Sequence, residues 1–239
     1  MKNNNRILKY NEALDEALAQ GMERDPNVFV MGCGVDDENG IFRTTTNAHQ
    51  KFGSERVMDS PLSENAIAGI GIGASILGKR PIIVHARNDF LLLAMDQIVN
   101  HAAKLSYMSN GQLKIPLIIR TVTGGGGQLA ATHSQSFENW YASVPGLRVV
   151  VPSNPYDALG LLRASRKDNN PVIFAEHSLL YRVKGEVPSD YYDIPLGKAN
   201  ILKPGTDVTI VAYSGMVRIA EEAAKILEEK NISAEIIDL

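Results

Sequence analysis

Four apolar runs constrain what this chain can fold into more than any other feature. They are residues 28–31 (VFVM), 80–86 (RPIIVHA), 115–121 (IPLIIRT) and 171–176 (PVIFAE). None alternates cleanly between apolar and polar. A strand of this kind has to be covered on both faces, as in a parallel sheet between two helical layers. Segments with helical spacing lie between the runs, over 7–24, 44–52, 59–78, 89–108, 133–144 and 155–166, with short strands expected at 56–58 and 147–151. In the first helix Leu8, Leu14, Leu18 and Met22 are expected to point inward. Strands and helices that alternate across short connections make a doubly wound, mostly parallel α/β sheet.

The pattern breaks after residue 176, where Pro188, Tyr191, Tyr192, Pro195 and Pro204-Gly205 mark a linker. A strand (207–213), a helix (217–230) and a strand (234–239) follow. A lone βαβ unit cannot cover both faces of its strands. The expected organisation is therefore a first domain over 1–185, a linker over 186–203, and an incomplete second α/β domain over 204–239.

Composition excludes several classes. The 239 residues carry a net charge of −3, which offers no basic surface for nucleic acid. The single cysteine, Cys33, rules out an internal disulfide, and no CxxC pair is present. Cys33 reads as a small buried apolar residue. The acidic stretch 36–40 (DDENG) lacks the alternating ligands of a calcium loop and reads as a solvated loop. The N-terminal residues lead directly into an amphipathic pattern, with no signal-peptide apolar region and no membrane-length run. A cytoplasmic protein is the expectation.

The stretch 59–78 (DSPLSENAIAGIGIGASILG) has chemistry as well as structure. Pro61 suits a first helical turn and Ser60 or Ser63 can cap it. Ile67, Ile70, Ala74 and Leu77 form a stripe at helical spacing. Gly69, Gly71 and Gly73 each cost the helix about 1 kcal/mol against alanine. Gly69 and Gly73 share a face, where another backbone could approach. By itself Glu64 reads as a capping acid favoured by the helix dipole. These glycines lie inside the helix, so they do not form a dinucleotide fingerprint. The later Gly124–Gly127 run lacks the Lys-Ser/Thr of a phosphate loop and reads as a mobile loop that leaves room at a site.

Glu64, Gly69, Ile70 and Gly73 match E-x4-G-Φ-x-x-G, the pattern of the pyrimidine-binding domain of thiamine diphosphate enzymes. Four longer segments extend the match: FRTTTNAHQKFGSERVMDSPLSE, AMDQIVNHAAKLSYMSNG, HSQSFENWYASVPGLRVVVPSNPYDALGLL and DNNPVIFAEHSLLY. In this order they resemble the β subunit of 2-oxoacid dehydrogenase E1 components, over nearly the whole chain. A complete C-terminal domain follows in that family, so the chain reads as a truncated version.

The resemblance implies a function and a set of roles. Glu64 would share a proton with the pyrimidine N1′ of thiamine diphosphate, and Phe90 would pack against that ring. His133 would hold a substrate carboxylate or assist proton transfer. His85 is a weaker candidate at a strand end, and His49, His101 and His177 read as structural or surface residues. The segment around Arg87 is more polar than in the family. Arg87 is either a substrate ligand or the partner of Asp89 in an ion pair. Asp168 and Asn170 match a loop that binds potassium through backbone carbonyls in some members, or they form a plain turn. The sequence contains no Gly-Asp-Gly, the motif that holds Mg2+ and the diphosphate. An α-type subunit would supply that half, in an α2β2 assembly. The implied reaction is decarboxylation of a 2-oxo acid with acyl transfer to a lipoyl-bearing E2 protein. The alternatives are a split transketolase-like enzyme and a non-catalytic partner subunit.

Overall fold

The computed structural model describes residues 5–37 and 42–239. Its centre is a six-stranded parallel sheet in the order β3-β2-β4-β5-β7-β6. The strands are β2 (Val28–Gly32), β3 (Val57–Asp59), β4 (Arg80–His85), β5 (Ile118–Thr123), β6 (Arg148–Val150) and β7 (Val172–His177). Both faces are covered, as the continuous apolar runs require. Ile82, Ile118, Val172 and Phe174 pack with α1 (Tyr10–Arg24) and α7 (Pro155–Lys167). Their neighbours Ile83, Ile119 and Ile173 pack on the other face with Ile67 and Ile72 of α3 (Glu64–Ile76) and with Leu91 and Ile98. Helix α7 shows how local chemistry fixes an end. The Asn154 side chain accepts from the Asp157 N–H at 2.9 Å, Pro155 opens the first turn, and Arg166 and Lys167 close the last.

Three sequence expectations change. Residues 5–9 form a strand, β1 (Asn5–Lys9), antiparallel to β8 (Lys184–Pro188), so Leu8 lies outside the first helix. Its partner is far away in sequence, and local periodicity cannot register such a pairing. The helix expected over 89–108 is broken into α4 (Asn88–Leu91), a 3-10 turn (Leu92–Ala94), a π turn (Gln97–Ala102) and α5 (Leu105–Met108). The helix expected over 133–144 shortens to a 3-10 turn (Ala131–His133) and α6 (Glu138–Ala142). α2 (Thr46–Phe52) matches its expected place apart from its first two residues.

Of the acidic loop at 36–40, residues 38–40 lie outside the described residues. Cys33, read as buried, is exposed. Partial burial, followed by the charges of Asp59, Glu64 and Asp36, pushes its thiol pKa up.

The C-terminal unit is a three-stranded sheet in the order β10-β11-β9. β10 (Val208–Ala212) and β11 (Ala234–Asp238) are parallel, and β9 (Asn200–Lys203) joins antiparallel. Helix α8 (Met216–Glu228) covers one side through Val217, Ala220 and Ala224. The stretch that reads as irregular in sequence thus contains two strands, β8 and β9, at its ends. No described helix is long and apolar enough to cross a membrane.

Candidate active site

In a parallel α/β sheet, ligands bind beyond the carboxyl ends of the strands, where the strand order reverses. Here β2 lies between β3 and β4, so successive connections leave it in opposite directions. Helix α3 runs from the end of β3 back to β4, which sets Glu64 at that edge. His85 ends β4, Thr123 ends β5 and His177 ends β7.

Glu64 is the first residue of α3. Its N-cap, Ser63, makes no side-chain hydrogen bond, so the capping box is not formed. Glu64 is half-buried, and its carboxylate has no hydrogen bond or ion pair with any described residue. The expected apolar stripe is largely reversed. The buried face of α3 is Ile67, Ala68, Gly71, Ile72 and Ser75, whereas Ile70 and Leu77 are 50% and 84% exposed. A Cβ at Gly71 would meet Ile83 and Leu117 at 3.0 Å, one at Gly69 only Gln97 Oε1 at 3.7 Å, and one at Gly73 nothing within 4 Å. Only Gly71 is explained by packing within the chain.

Phe90 and His133 come together, with ring centroids 5.1 Å apart in an edge-to-face arrangement. They are carried by two segments that are stitched to each other. The Arg87 Nη2 donates to the Gly124 carbonyl at 3.2 Å, Gln135 Nε2 to Asp89 Oδ1 at 2.8 Å, and Gly124 N to the Gln135 carbonyl at 3.1 Å. Arg87 and Asp89 are both buried and 3.7 Å apart, so the pair is internal and not a surface bridge. His85 is buried, and burial drives its pKa down to about 4. It is therefore neutral near pH 7 and contributes a hydrogen-bonding nitrogen without a positive charge.

The loop at Asp168 and Asn170 is already engaged. Arg80 Nη1 donates to the carbonyls of Arg166 at 2.8 Å and Asp168 at 2.9 Å, and Ile115 N donates to the Asn169 carbonyl at 3.1 Å. Asp168 Oδ1 accepts from Asn170 N at 2.9 Å, while Oδ2 pairs with Arg148 at 2.5 Å.

Sequence reasoning missed several residues at this edge. Thr123 Oγ1 donates to Glu138 Oε1 at 2.5 Å and accepts from Asn88 Nδ2 at 3.0 Å. His177, read as structural or surface, lies over Gly124, where an added Cβ would fall 2.2 Å from its Nε2. Gly124 has φ +87°, so no other residue suits that position. Burial lowers the His177 pKa, with Glu138 opposing and Arg87 reinforcing the shift. On the opposite face of the sheet, Arg120 binds Glu176 through two bonds of 2.6 and 3.1 Å, and Tyr181 donates to the same carboxylate at 2.9 Å. The turn sequence N-D-F after a strand end was the one signal for the first group. Nothing local signals the second. A cavity of about 620 Å³ includes Glu138 in its lining but not Glu64, Phe90 or His133. It lies between the parallel sheet and the C-terminal unit and is not the site built above.

Residues 7–184 match the family described as transketolase, pyrimidine binding domain, and residues 197–239 match transketolase, C-terminal domain. The chain belongs to this family. Its relatives include the 2-oxoisovalerate dehydrogenase subunit beta of Bacillus subtilis (strain 168), 46% identical over 98% of this chain and 72% of the relative. The pyruvate dehydrogenase E1 component subunit beta of Gracilaria tenuistipitata var. liui is 45% identical over 95% of this chain and 71% of the relative. The acetoin:2,6-dichlorophenolindophenol oxidoreductase subunit beta of Bacillus subtilis (strain 168) is 44% identical over 98% and 72%. Among solved structures, a split-gene transketolase described as an inactive beta4 tetramer has a TM-score of 0.77 and 26% identity, covering 97% of this chain and 71% of that one.

Proposed function

We propose that the chain is the β-type subunit of a thiamine diphosphate-dependent, 2-oxoacid dehydrogenase-like E1 enzyme. The observation that carries this reading is Glu64. It is an unpaired carboxylate at the switch point of a parallel sheet, in a chain 42–46% identical to E1-type β subunits. Thiamine diphosphate, held here, would supply a nucleophilic carbon for a 2-oxo acid. Glu64 would hold the proton at its pyrimidine N1′. Phe90, 37% exposed, offers a ring face for the aminopyrimidine and keeps water from it. His133, held edge-on to Phe90, is positioned to bind a carboxylate or move a proton. Arg87 and His85 are substrate-side groups in this reading, and His85 acts without charge.

Mg2+ and the diphosphate would be held by an α-type partner, because the chain has no Gly-Asp-Gly. The outward face of α3 supports such a partner. Ile70 and Leu77 are exposed there beside the open Gly73, and a helix with apolar residues on both sides is ordinarily covered on both. The reading includes an α2β2 assembly in the cytoplasm and acyl transfer to a lipoyl-bearing E2. Domain limits of 1–185, 186–203 and 204–239 go with it. Potassium at Asp168 and Asn170 is less favoured, since Arg80 already provides a cation to the Arg166 and Asp168 carbonyls. The structural likeness to the split-gene transketolase supports a transketolase-like transfer as the second reading. Its lower identity ranks it behind the dehydrogenase reading.

Calorimetry tests the divided site. The isolated chain should bind thiamine diphosphate weakly or not at all, and the complex with an α-type subunit should bind it tightly with magnesium. Tight, magnesium-dependent binding by the isolated chain would overturn the proposal.

A further inference from the structure

Buried polar atoms are almost always hydrogen-bonded, so those without a partner ask for a reason. Among the described residues, fourteen buried side-chain atoms have no hydrogen-bond partner, and six belong to five residues at one place. They are His85 Nε2, Arg87 Nε and Nη1, Asn88 Oδ1, Asp89 Oδ2 and Thr121 Oγ1. His85 and Thr121 are register partners on β4 and β5, and residues 87–89 follow directly from the end of β4. The chain itself provides the comparison. Arg120 is as buried as Arg87, yet a carboxylate chelates it on the other face of the sheet. The Arg87 guanidinium has a single hydrogen bond, to the Gly124 carbonyl, and Asp89 stays 3.7 Å away.

The chemistry of the unpaired set is mixed. Arg87 presents only donors. Asn88 Oδ1 and Asp89 Oδ2 present only acceptors. Thr121, and the neutral ring of His85, can do either. Arg87 and Asp89 balance each other in charge, so the cluster does not call for an anion. A hydroxyl, which donates and accepts at once, matches it, whereas an aliphatic chain would leave every one of these atoms unpaired.

We propose that this cluster binds a hydroxyl group on the substrate chain, in the segment that leads into Phe90. The enzyme is then selective for a hydroxylated 2-oxo acid or a hydroxylated acceptor over an aliphatic one. This rests on the functional reading above. The Gly124 carbonyl rests on the Arg87 guanidinium, and this contact has to open for a ligand to reach it. A site built to bond a hydroxyl rejects the analogue lacking it, because its own polar groups are left unpaired.

The test uses the reconstituted complex with an α-type subunit. One arm compares 2-oxo-4-hydroxybutanoate with 2-oxobutanoate as donor, and the other compares glycolaldehyde with acetaldehyde as acceptor. The wild type should favour the hydroxylated member at least tenfold in kcat/KM in one arm, which identifies the source of the hydroxyl. Thr121→Val removes one unpaired hydroxyl with little change in shape, so folding is preserved. It should reduce that ratio several-fold, and Arg87→Met should abolish it. In a thermal-shift assay, the favoured hydroxylated compound should raise the Tm of the wild-type complex more than its analogue, and Arg87→Met should lose the difference. Flat ratios in both arms, or a preference unchanged in both variants, would overturn this inference alone. No turnover in either arm would overturn the functional reading and this inference with it.

Discussion

Gly71 and Gly73 lie two residues apart on α3 and should respond to alanine in opposite ways. Either substitution gains about 1 kcal/mol of helix propensity. At Gly73 the new methyl meets nothing within 4 Å, so the gain is kept. At Gly71 it lies 3.0 Å from Ile83 Cγ1 and 3.0 Å from Leu117 Cδ1, both in the core between α3 and the sheet. Overpacking of this kind costs roughly 1–3 kcal/mol, which cancels or exceeds the gain. For a chain of this size 1 kcal/mol is about 2–4 °C in Tm. Thermal unfolding of the isolated chain should therefore show Gly73→Ala higher by about that amount and Gly71→Ala unchanged or lower. The order should invert in assembly. Gly73→Leu should leave the protomer folded but weaken association with an α-type subunit, measured by light scattering on a sizing column. Equal Tm shifts for the two alanine variants, or wild-type assembly by Gly73→Leu, would refute the argument that Gly71 serves the core and Gly73 an interface.

Two further predictions concern charge. His85 has a folded-state pKa near 4, below its ordinary 6.5, so the unfolded chain binds more protons between those values. Its contribution to stability is complete above pH 6.5 and is lost as pH falls toward 4. The stability difference between wild type and His85→Asn should change across this window by about 3 kcal/mol, and a flat difference in urea titrations would contradict the burial argument. At the Asp168 loop, replacing potassium by sodium or choline should leave Tm unchanged while Arg80→Met lowers it. A potassium-specific rise in Tm would restore the cation site.

The parallel sheet was legible in the sequence because continuous apolar strands allow few other arrangements. Pairings between distant segments were not. β1 meets β8 across nearly the whole first domain, and no periodicity within residues 5–9 records it. The stripe on α3 misled for a related reason. Ile70 and Leu77 are spaced like core residues, but the described residues leave them exposed. At the site, Glu64, Phe90 and His133 were found through motif resemblance, and the structure brings the last two into contact. The unpaired atoms of Arg87, Asn88, Asp89 and Thr121 could not have been found that way, since being unpaired is a property of geometry and not of residue type.

The central claim is that Glu64 activates a cofactor and does not merely begin a helix. Its most direct test is hydrogen–deuterium exchange at C2 of thiamine diphosphate in the assembled complex, comparing wild type with Glu64→Gln. The glutamine keeps the size and can still hydrogen-bond, but it cannot share an acidic proton with N1′. Helix content and assembly should be unchanged, because the Glu64 carboxylate has no hydrogen bond to the described residues to lose. C2 exchange should slow by roughly 10²–10⁴-fold, the range for a positioned acid–base group. Exchange at the wild-type rate in a correctly assembled Glu64→Gln complex would contradict the account.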